Sequence, residues 1–240
     1  QEAYASDVVL PRMLHARVLR SPFPHARVKL IDTRAAEGMG AVCITFKDIP
    51  KIKYAERLVT IPQKTFKDRQ VLTDRPRHVG EAIAAVAAET EGLAEKALNS
   101  IKVEFEQLRA LFDAVEAMKP ENPLIHETIL FGQEEIQVRN NIAATREIVE
   151  GNIEEGFKEA EIILEDEFKT GRVYHAQMET KSVVCQPEAD GGITVWTTTQ
   201  TIHNVRQLLG EIFQIPLSKV NVKRIAVGGS FGSSIQTNSI

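Results

Sequence analysis

The segment Gly228-Gly229-Ser230-Phe231-Gly232-Ser233-Ser234 is the part of this sequence best suited to holding a ligand. Glycines let a backbone approach a bound group closely, and successive N–H groups in such a loop form an anion-binding nest. No Lys-Ser/Thr pair follows, so this is not a Walker loop. The third glycine of a dinucleotide fingerprint is missing, and Ile235 to Ile240 show no helix start. A tight structural turn would account for the glycines equally well. Phe231 narrows the choice, because a bulky aromatic inside a glycine loop either anchors into the core or walls a pocket.

A second candidate is Thr197-Thr198-Thr199-Gln200, where a strand gives way to a helix. Ligands in α/β folds gather at the carboxyl ends of strands, and Gln200 offers both a donor and an acceptor there. Helix capping by the threonines is the plainer reading and the one these residues favour by themselves. His175 and Glu179 stand four residues apart, which suits two metal ligands on a helix. No second histidine accompanies them and their flanks read as loop and strand, so a metal site there is disfavoured. His15, His25, His78, His126 and His203 have no partner at metal or triad spacing, and there is no nucleophile elbow. The carboxylates are scattered. Read from its residues, the chain offers a cofactor pocket and no visible catalytic base.

These residues need elements to position them. Leu14 to Leu19, Val28 to Ile31 and Ala41 to Phe46 are short runs rich in β-branched residues, bounded by Pro, Gly or Asp, and read as strands. Thr33 to Glu37 offers a turn or two of helix. Lys51 to Arg77, with Pro62 and Pro76, suits an extended excursion better than core. Glu81 to Ala88 reads as a strand buried on both faces. Thr90 is placed to cap the next helix, with Glu91 at its positive end. Leu93, Ala94, Ala97 and Leu98 line one side of that helix, and Ile101, Val103 and Phe105 alternate with charged residues as in a half-buried strand. A strand–helix–strand unit of this length favours a parallel or mixed sheet.

Residues 110–133 hold Pro120, Pro123 and Gly132 with little periodicity and read as a linker. Beyond it, strands are expected at Ile142 to Val149, Ile162 to Phe168, Val183 to Gln186 and Ile193 to Thr198, with a short helix at Ile153 to Ala160. Gly191-Gly192 marks a turn. Ile202, Val205, Leu208, Leu209 and Ile212 form the stripe of an amphipathic helix. Val220 to Val227 is the last strand and runs straight into the glycine loop. The pattern is α/β, of the α+β kind.

The composition bounds the function. Apolar residues make up 43% and charged residues 26% of the 240, ordinary for a globular protein with one or two domains. Lys and Arg number 29 against 33 Asp and Glu, for a net charge of −4, and the basic residues are dispersed. That excludes the basic stripe a nucleic-acid or anionic-membrane surface requires. No apolar run approaches the roughly 20 residues of a bilayer span. The start, Gln1-Glu2-Ala3-Tyr4, shows no signal peptide and no Met, so a processed or cut chain is expected. Cys43 and Cys185 sit in apolar runs and read as buried small hydrophobes, which suits a reducing, cytoplasmic compartment.

Several segments together resemble one family. Tyr4-Ala5-Ser6-Asp7, Leu14-His15-Ala16-Arg17-Val18-Leu19-Arg20-Ser21-Pro22 and His25-Ala26-Arg27-Val28 resemble the opening of the molybdenum-cofactor subunit of molybdenum hydroxylases. That family includes xanthine dehydrogenase, aldehyde oxidase and nicotinate dehydrogenase. Val79 to Val86, His175 to Glu179, Thr199-Gln200 and Gly228 to Gly232 follow in the family's order and at about its spacing. Each segment is weak by itself; together they cover nearly the whole chain.

The resemblance implies an α/β hammerhead domain over 1–109, a linker over 110–135 and the first part of a molybdopterin-binding domain over 136–240. It implies a molybdenum–molybdopterin cofactor, as the pterin or its cytosine dinucleotide, with FAD and [2Fe-2S] clusters on partner subunits or domains. In the family no protein atom binds the metal. The glutamine of the Thr-Gln segment hydrogen-bonds the metal's oxo group, and the loop phenylalanine lies beside the metal, roles that map onto Gln200 and Phe231. Backbone N–H groups of Gly229, Ser230, Phe231 and Gly232 are expected to hold the cofactor.

The reaction implied is hydroxylation of an electron-poor carbon of an N-heterocycle (purine or nicotinate type) or an aldehyde, with water as the oxygen source. The family's base is a glutamate near the end of the full-length subunit, so the catalytic residue is expected in a C-terminal molybdopterin-binding part outside these 240 residues, and the chain alone is expected to be inactive. The chain departs from the family at Ser230, where a third glycine is usual, and at Ser233-Ser234, where Gly-Lys is usual. Ile235 stands where purine-oxidising relatives carry a glutamate that reads the ring, which points away from xanthine. A non-catalytic scaffold or assembly module is the rival reading, and a nucleotide-dependent dehydrogenase is disfavoured by the missing fingerprint.

Overall fold

The computed structural model describes residues 3–55 and 65–235. The part of the expected excursion around Pro62, and the stretch after Ile235 expected to lack a helix start, lie outside the described residues.

The first half runs through His15–Arg20 (β1), Ala26–Asp32 (β2), Arg34–Glu37 (α1), Val42–Thr45 (β3), Phe66–Lys67 (β4), Ala82–Ala88 (β5), Glu91–Ser100 (α2) and Lys102–Gln107 (β6). The small-apolar run of β5 lies between β1 and β3, antiparallel to both, with Val18 opposite Ala85 and Cys43 opposite Val86. Helix α2 starts where expected: the Thr90 hydroxyl accepts the Leu93 N–H at 3.2 Å. Its alanines, Ala94 and Ala97, pack on Ala88, Ala36 and Ala41. Small side chains bring the helix close onto the strand.

The expectation of a parallel or mixed sheet around α2 is overturned. Both edges of β5 are taken by β1 and β3, so β6 has no free edge there; it pairs antiparallel with β2 in a separate two-stranded sheet. Within the stretch read as linker, Ala114–Ala117 forms a helical turn (α3) and Thr128–Phe131 a strand (β7), which sits between β4 and Glu134–Gln137 (β8). Phe66 stacks on Phe131 with ring centroids 4.8 Å apart.

In the second half, Ile153–Glu159 (α4) is helical and Asn152 caps it. Ile142 to Val149 and Ile162 to Phe168 are not strands: neither has a ladder partner among the described residues, and apolar side chains such as Leu164 and Phe168 are exposed. β-branched composition marks a chain that can extend, but a strand also needs a neighbouring edge. The mixed sheet forms instead from Val183–Pro187 (β9), Ile193–Thr197 (β10) and Val220–Lys223 (β11), with Ile202–Phe213 (α5) crossing between β10 and β11. β10 is antiparallel to β9 across the Gly191 turn, where φ is +81°, and parallel to β11. Val205 and Leu209 of α5 pack on Val195 and Val220. Burying each such side chain stabilises by about 1.5–3 kcal/mol. β11 is shorter than expected: it ends at Lys223, opposite Trp196, and Arg224 to Val227 run on toward the glycine loop outside the ladder. The buried-thiol expectation fails for Cys185, which lies exposed on the edge strand β9; Cys43 is half-buried, and both thiols are free. Among the described residues, no helix is long and apolar enough to cross a membrane.

Candidate functional site

β10 and the glycine loop meet at one place, joined by a carboxylate. Glu179 lies in an irregular segment, not on the helix that metal ligation with His175 would need. Its Oε1 accepts the Thr198 hydroxyl at 2.8 Å, its Oε2 accepts the Gly228 N–H at 2.5 Å, and its own N–H donates to the Gly228 carbonyl at 3.3 Å. The approach is tight enough that a Cβ on Gly228 would stand 2.8 Å from Glu179 Cβ. Among the described residues, no three His, Cys, Asp or Glu side chains cluster as a metal site would require.

The threonines do not cap α5. Thr201 occupies the N-cap position without a side-chain cap bond, while the Thr199 hydroxyl donates to the Ser234 carbonyl at 3.2 Å. The Gln200 N–H donates to that same carbonyl at 3.1 Å. The end of β10 is thus stitched to the far side of the glycine loop. Lys181 donates to the Ser234 hydroxyl; burial lowers the pKa of its ammonium, and the nearby Glu179 carboxylate opposes that shift.

The loop has the backbone of a ligand cradle. Gly229, Phe231 and Gly232 all have left-handed φ values of +97°, +51° and +96°. Glycine adopts such values freely, but an aromatic residue does so under strain, and strained residues of this kind gather at functional sites. The N–H groups of Gly229, Ser230, Phe231 and Gly232 have no acceptor among the described residues. The Phe231 ring is 76% exposed, so it walls a surface and does not anchor in the core. Ser230, Ser233 and Ser234 are buried, and among the described residues neither Ser233 Oγ nor Gln177 Oε1 has a partner.

The side chains expected at the site come together only in part. Ser230 donates its hydroxyl to Gln200 Oε1 at 2.5 Å. Gln200 lines an open cavity of about 1060 Å³ whose walls include Thr199, His203 and Arg224 to Val227, closed on one side by Ala3. Phe231 and Ile235 do not line it. Ile235 is half-buried at the end of the loop, its N–H donating to the Gly232 carbonyl at 3.2 Å. Sequence reasoning missed Glu179 as the clamp between strand and loop. Its carboxylate and Gly228 are 49 positions apart, and no local pattern links them.

An anionic, hydrogen-bond-accepting group with a pterin-like polar edge fits this donor set. Four loop N–H groups without an acceptor among the described residues suit anionic oxygen or sulfur; the Ser233 hydroxyl, unpartnered there too, is a further donor, and the Gln177 carbonyl would accept from an N–H of the group's polar edge.

Residues 1–109 match the family described as aldehyde oxidase and xanthine dehydrogenase, a/b hammerhead domain, and residues 134–240 match the molybdopterin cofactor-binding domain. Among curated relatives, a probable xanthine dehydrogenase subunit of Bacillus subtilis is 37% identical over 98% of this chain and 30% of its own length. The nicotinate dehydrogenase large molybdopterin subunit of Eubacterium barkeri is 32% identical over 97% of this chain and 51% of its own length. The chain therefore spans about a third to a half of the curated relatives it matches. The crystal structure of the Cu,Mo-CO dehydrogenase superposes with a TM-score of 0.82 at 27% identity, covering 99% of this chain and 30% of that one. Quinoline 2-oxidoreductase from Pseudomonas putida superposes at 0.74 with 27% identity, over 96% and 29%.

Proposed function

Since the chain belongs to the molybdenum hydroxylase family, joining a hammerhead domain to molybdopterin cofactor-binding sequence, we propose that it is the N-terminal part of a subunit that hydroxylates an electron-poor carbon with water. The observation that carries this reading is the run of loop N–H groups from Gly229 to Gly232 that have no acceptor among the described residues, with Ser230 held against Gln200.

When bound, the molybdenum–pterin cofactor supplies a two-electron acceptor for the substrate carbon. In this reading the loop N–H groups hold the cofactor's anionic edge. Gln200 presents its amide to the metal centre, as an outer partner that tunes a metal without ligating it. Phe231 limits water beside the same group. The general base comes from outside the 240 residues, as do FAD and iron–sulfur partners that carry the electrons away.

Ile235 bears on substrate. It can neither donate nor accept, and a buried polar ring atom left unpaired costs about 1–3 kcal/mol. An N-heterocycle less polar than xanthine, or an aldehyde, is the preferred substrate class. Two free thiols, Cys43 and Cys185, support a reducing, cytoplasmic setting for the complete protein.

Metal and pterin analysis of the complete subunit tests the proposal. Stoichiometric molybdenum with a pterin is the expected result. A folded subunit free of both would overturn it in favour of an assembly module.

A further inference from the structure

We propose that Ser230 is a positioning residue that sets the orientation of the Gln200 amide, holding its Nε2 hydrogens toward the cofactor. The inference rests on the reading of Gln200 given above and adds to it the one side chain that bonds its head group among the described residues.

A glutamine amide has an acceptor end and a donor end of nearly the same shape, so an unrestrained head group presents either one. Gln200 is exposed to the cavity, and among the described residues Ser230 is the sole side chain bonded to its head group. The serine is itself committed. It is 7% exposed, and its Oγ accepts the Ser234 N–H at 2.9 Å. That leaves one hydroxyl proton to place, and Gln200 Oε1 takes it at 2.5 Å. With the amide turned over, Nε2 would face the hydroxyl oxygen and the serine proton would lose its acceptor in a buried site, which is unfavourable. The pairing therefore selects the orientation with Oε1 inward and both Nε2 hydrogens free.

The backbone permits this. Gly229 and Gly232 have left-handed φ values, but Ser230 between them does not, so a side chain sits there without strain. Ser234, which supplies the fixed N–H, is 1% exposed, and its carbonyl already holds the Gln200 N–H. Main chain and side chain of Gln200 are thus both referenced to the same short turn. A glycine at 230 would keep the first tether and lose the second.

The test uses the complete, cofactor-loaded enzyme with Ser230→Ala, Ser230→Gly, Ser230→Thr and, as reference, Gln200→Ala. The glycine and alanine variants both remove the hydroxyl but differ in backbone freedom, which guards against a folding artefact of either one. Molybdenum content, kcat, KM and the electron paramagnetic resonance spectrum of the singly reduced metal are measured. The alanine and glycine variants should keep their metal, hold KM within about twofold, lose roughly 3- to 10-fold in kcat, and show an altered spectrum that threonine restores. Wild-type kcat and spectrum in Ser230→Ala and Ser230→Gly, beside a changed Gln200→Ala, would overturn the positioning role and leave the reading of Gln200 standing. No change in Gln200→Ala would overturn both. Loss of metal from the serine variants would also overturn it, since Ser230 would then hold the cofactor and not orient Gln200.

Discussion

Glu179 holds Gly228 from two directions: its carboxylate accepts the glycine N–H at 2.5 Å while its own N–H donates to the glycine carbonyl at 3.3 Å. The other carboxylate oxygen accepts the hydroxyl of Thr198, the residue just past β10. One side chain therefore sets the distance between the segment after β10 that carries Gln200 and the loop that carries Phe231.

Glu179→Ala removes both acceptors and leaves the Thr198 hydroxyl, 5% exposed as a residue, without its partner. Hydrogen bonds to a charged group contribute roughly 1.5–3 kcal/mol each, so losing both is expected to cost about 3–6 kcal/mol by chemical denaturation. Glu179→Gln should lose less, because its carbonyl still accepts one bond. In the complete enzyme the alanine variant should also purify with less molybdenum, and full metal content would show that the loop keeps its shape without the clamp.

Gln200→Ala should lower kcat of the complete enzyme by about 10²-fold with a smaller change in KM. A donor aimed at charge that redistributes during turnover acts in the transition state. Steady-state kinetics with the metal content matched to wild type will decide this. Unchanged kcat would return Gln200 to the role of a residue beside a helix start.

For substrate choice, kcat/KM for xanthine should fall below that for nicotinate or an aromatic aldehyde. Ile235→Glu should narrow the gap by roughly 5- to 100-fold, the equivalent of about 1–3 kcal/mol. A wild-type preference for xanthine would show that position 235 does not set specificity.

His126 predicts a pH dependence of folding. Burial, and then the charge of Arg77, push its pKa down from the ordinary 6.5 to about 4, although Asp68 stands 3.8 Å away. Above pH 6.5 the ring is neutral in both folded and unfolded chains and contributes no pH dependence. Between pH 6.5 and about 4 the unfolded chain takes up a proton that the folded one refuses, so stability falls as pH falls through that window. The loss reaches about 2–3 kcal/mol below pH 4. His126→Gln should flatten this part of the stability profile, measured by urea denaturation at several pH values.

Much of the chain was legible as a line of residues because the physics concerned is local. The Thr90 cap, the apolar stripe of α5, the buried run of β5 and the Gly191 turn each depend on neighbours within a few positions, and each formed where expected. The glycine loop and the Thr-Gln segment stood out for the same reason, since glycine content and a strand-to-helix junction are visible without a fold. Only the tertiary structure decided how these pieces meet. Strand pairing is settled by which edges are free: β6 left the sheet of β5 because both edges were occupied, and Ile142 to Val149 made only a single bridge, Ile142 to Arg139, among the described residues. The site follows the same rule. Glu179 reaches Gly228 across 49 positions and Ser230 reaches Gln200 across 30, contacts that no periodicity encodes. Residue types determined what chemistry the chain can offer, and the closure of β10 onto the loop determined which atoms face one another.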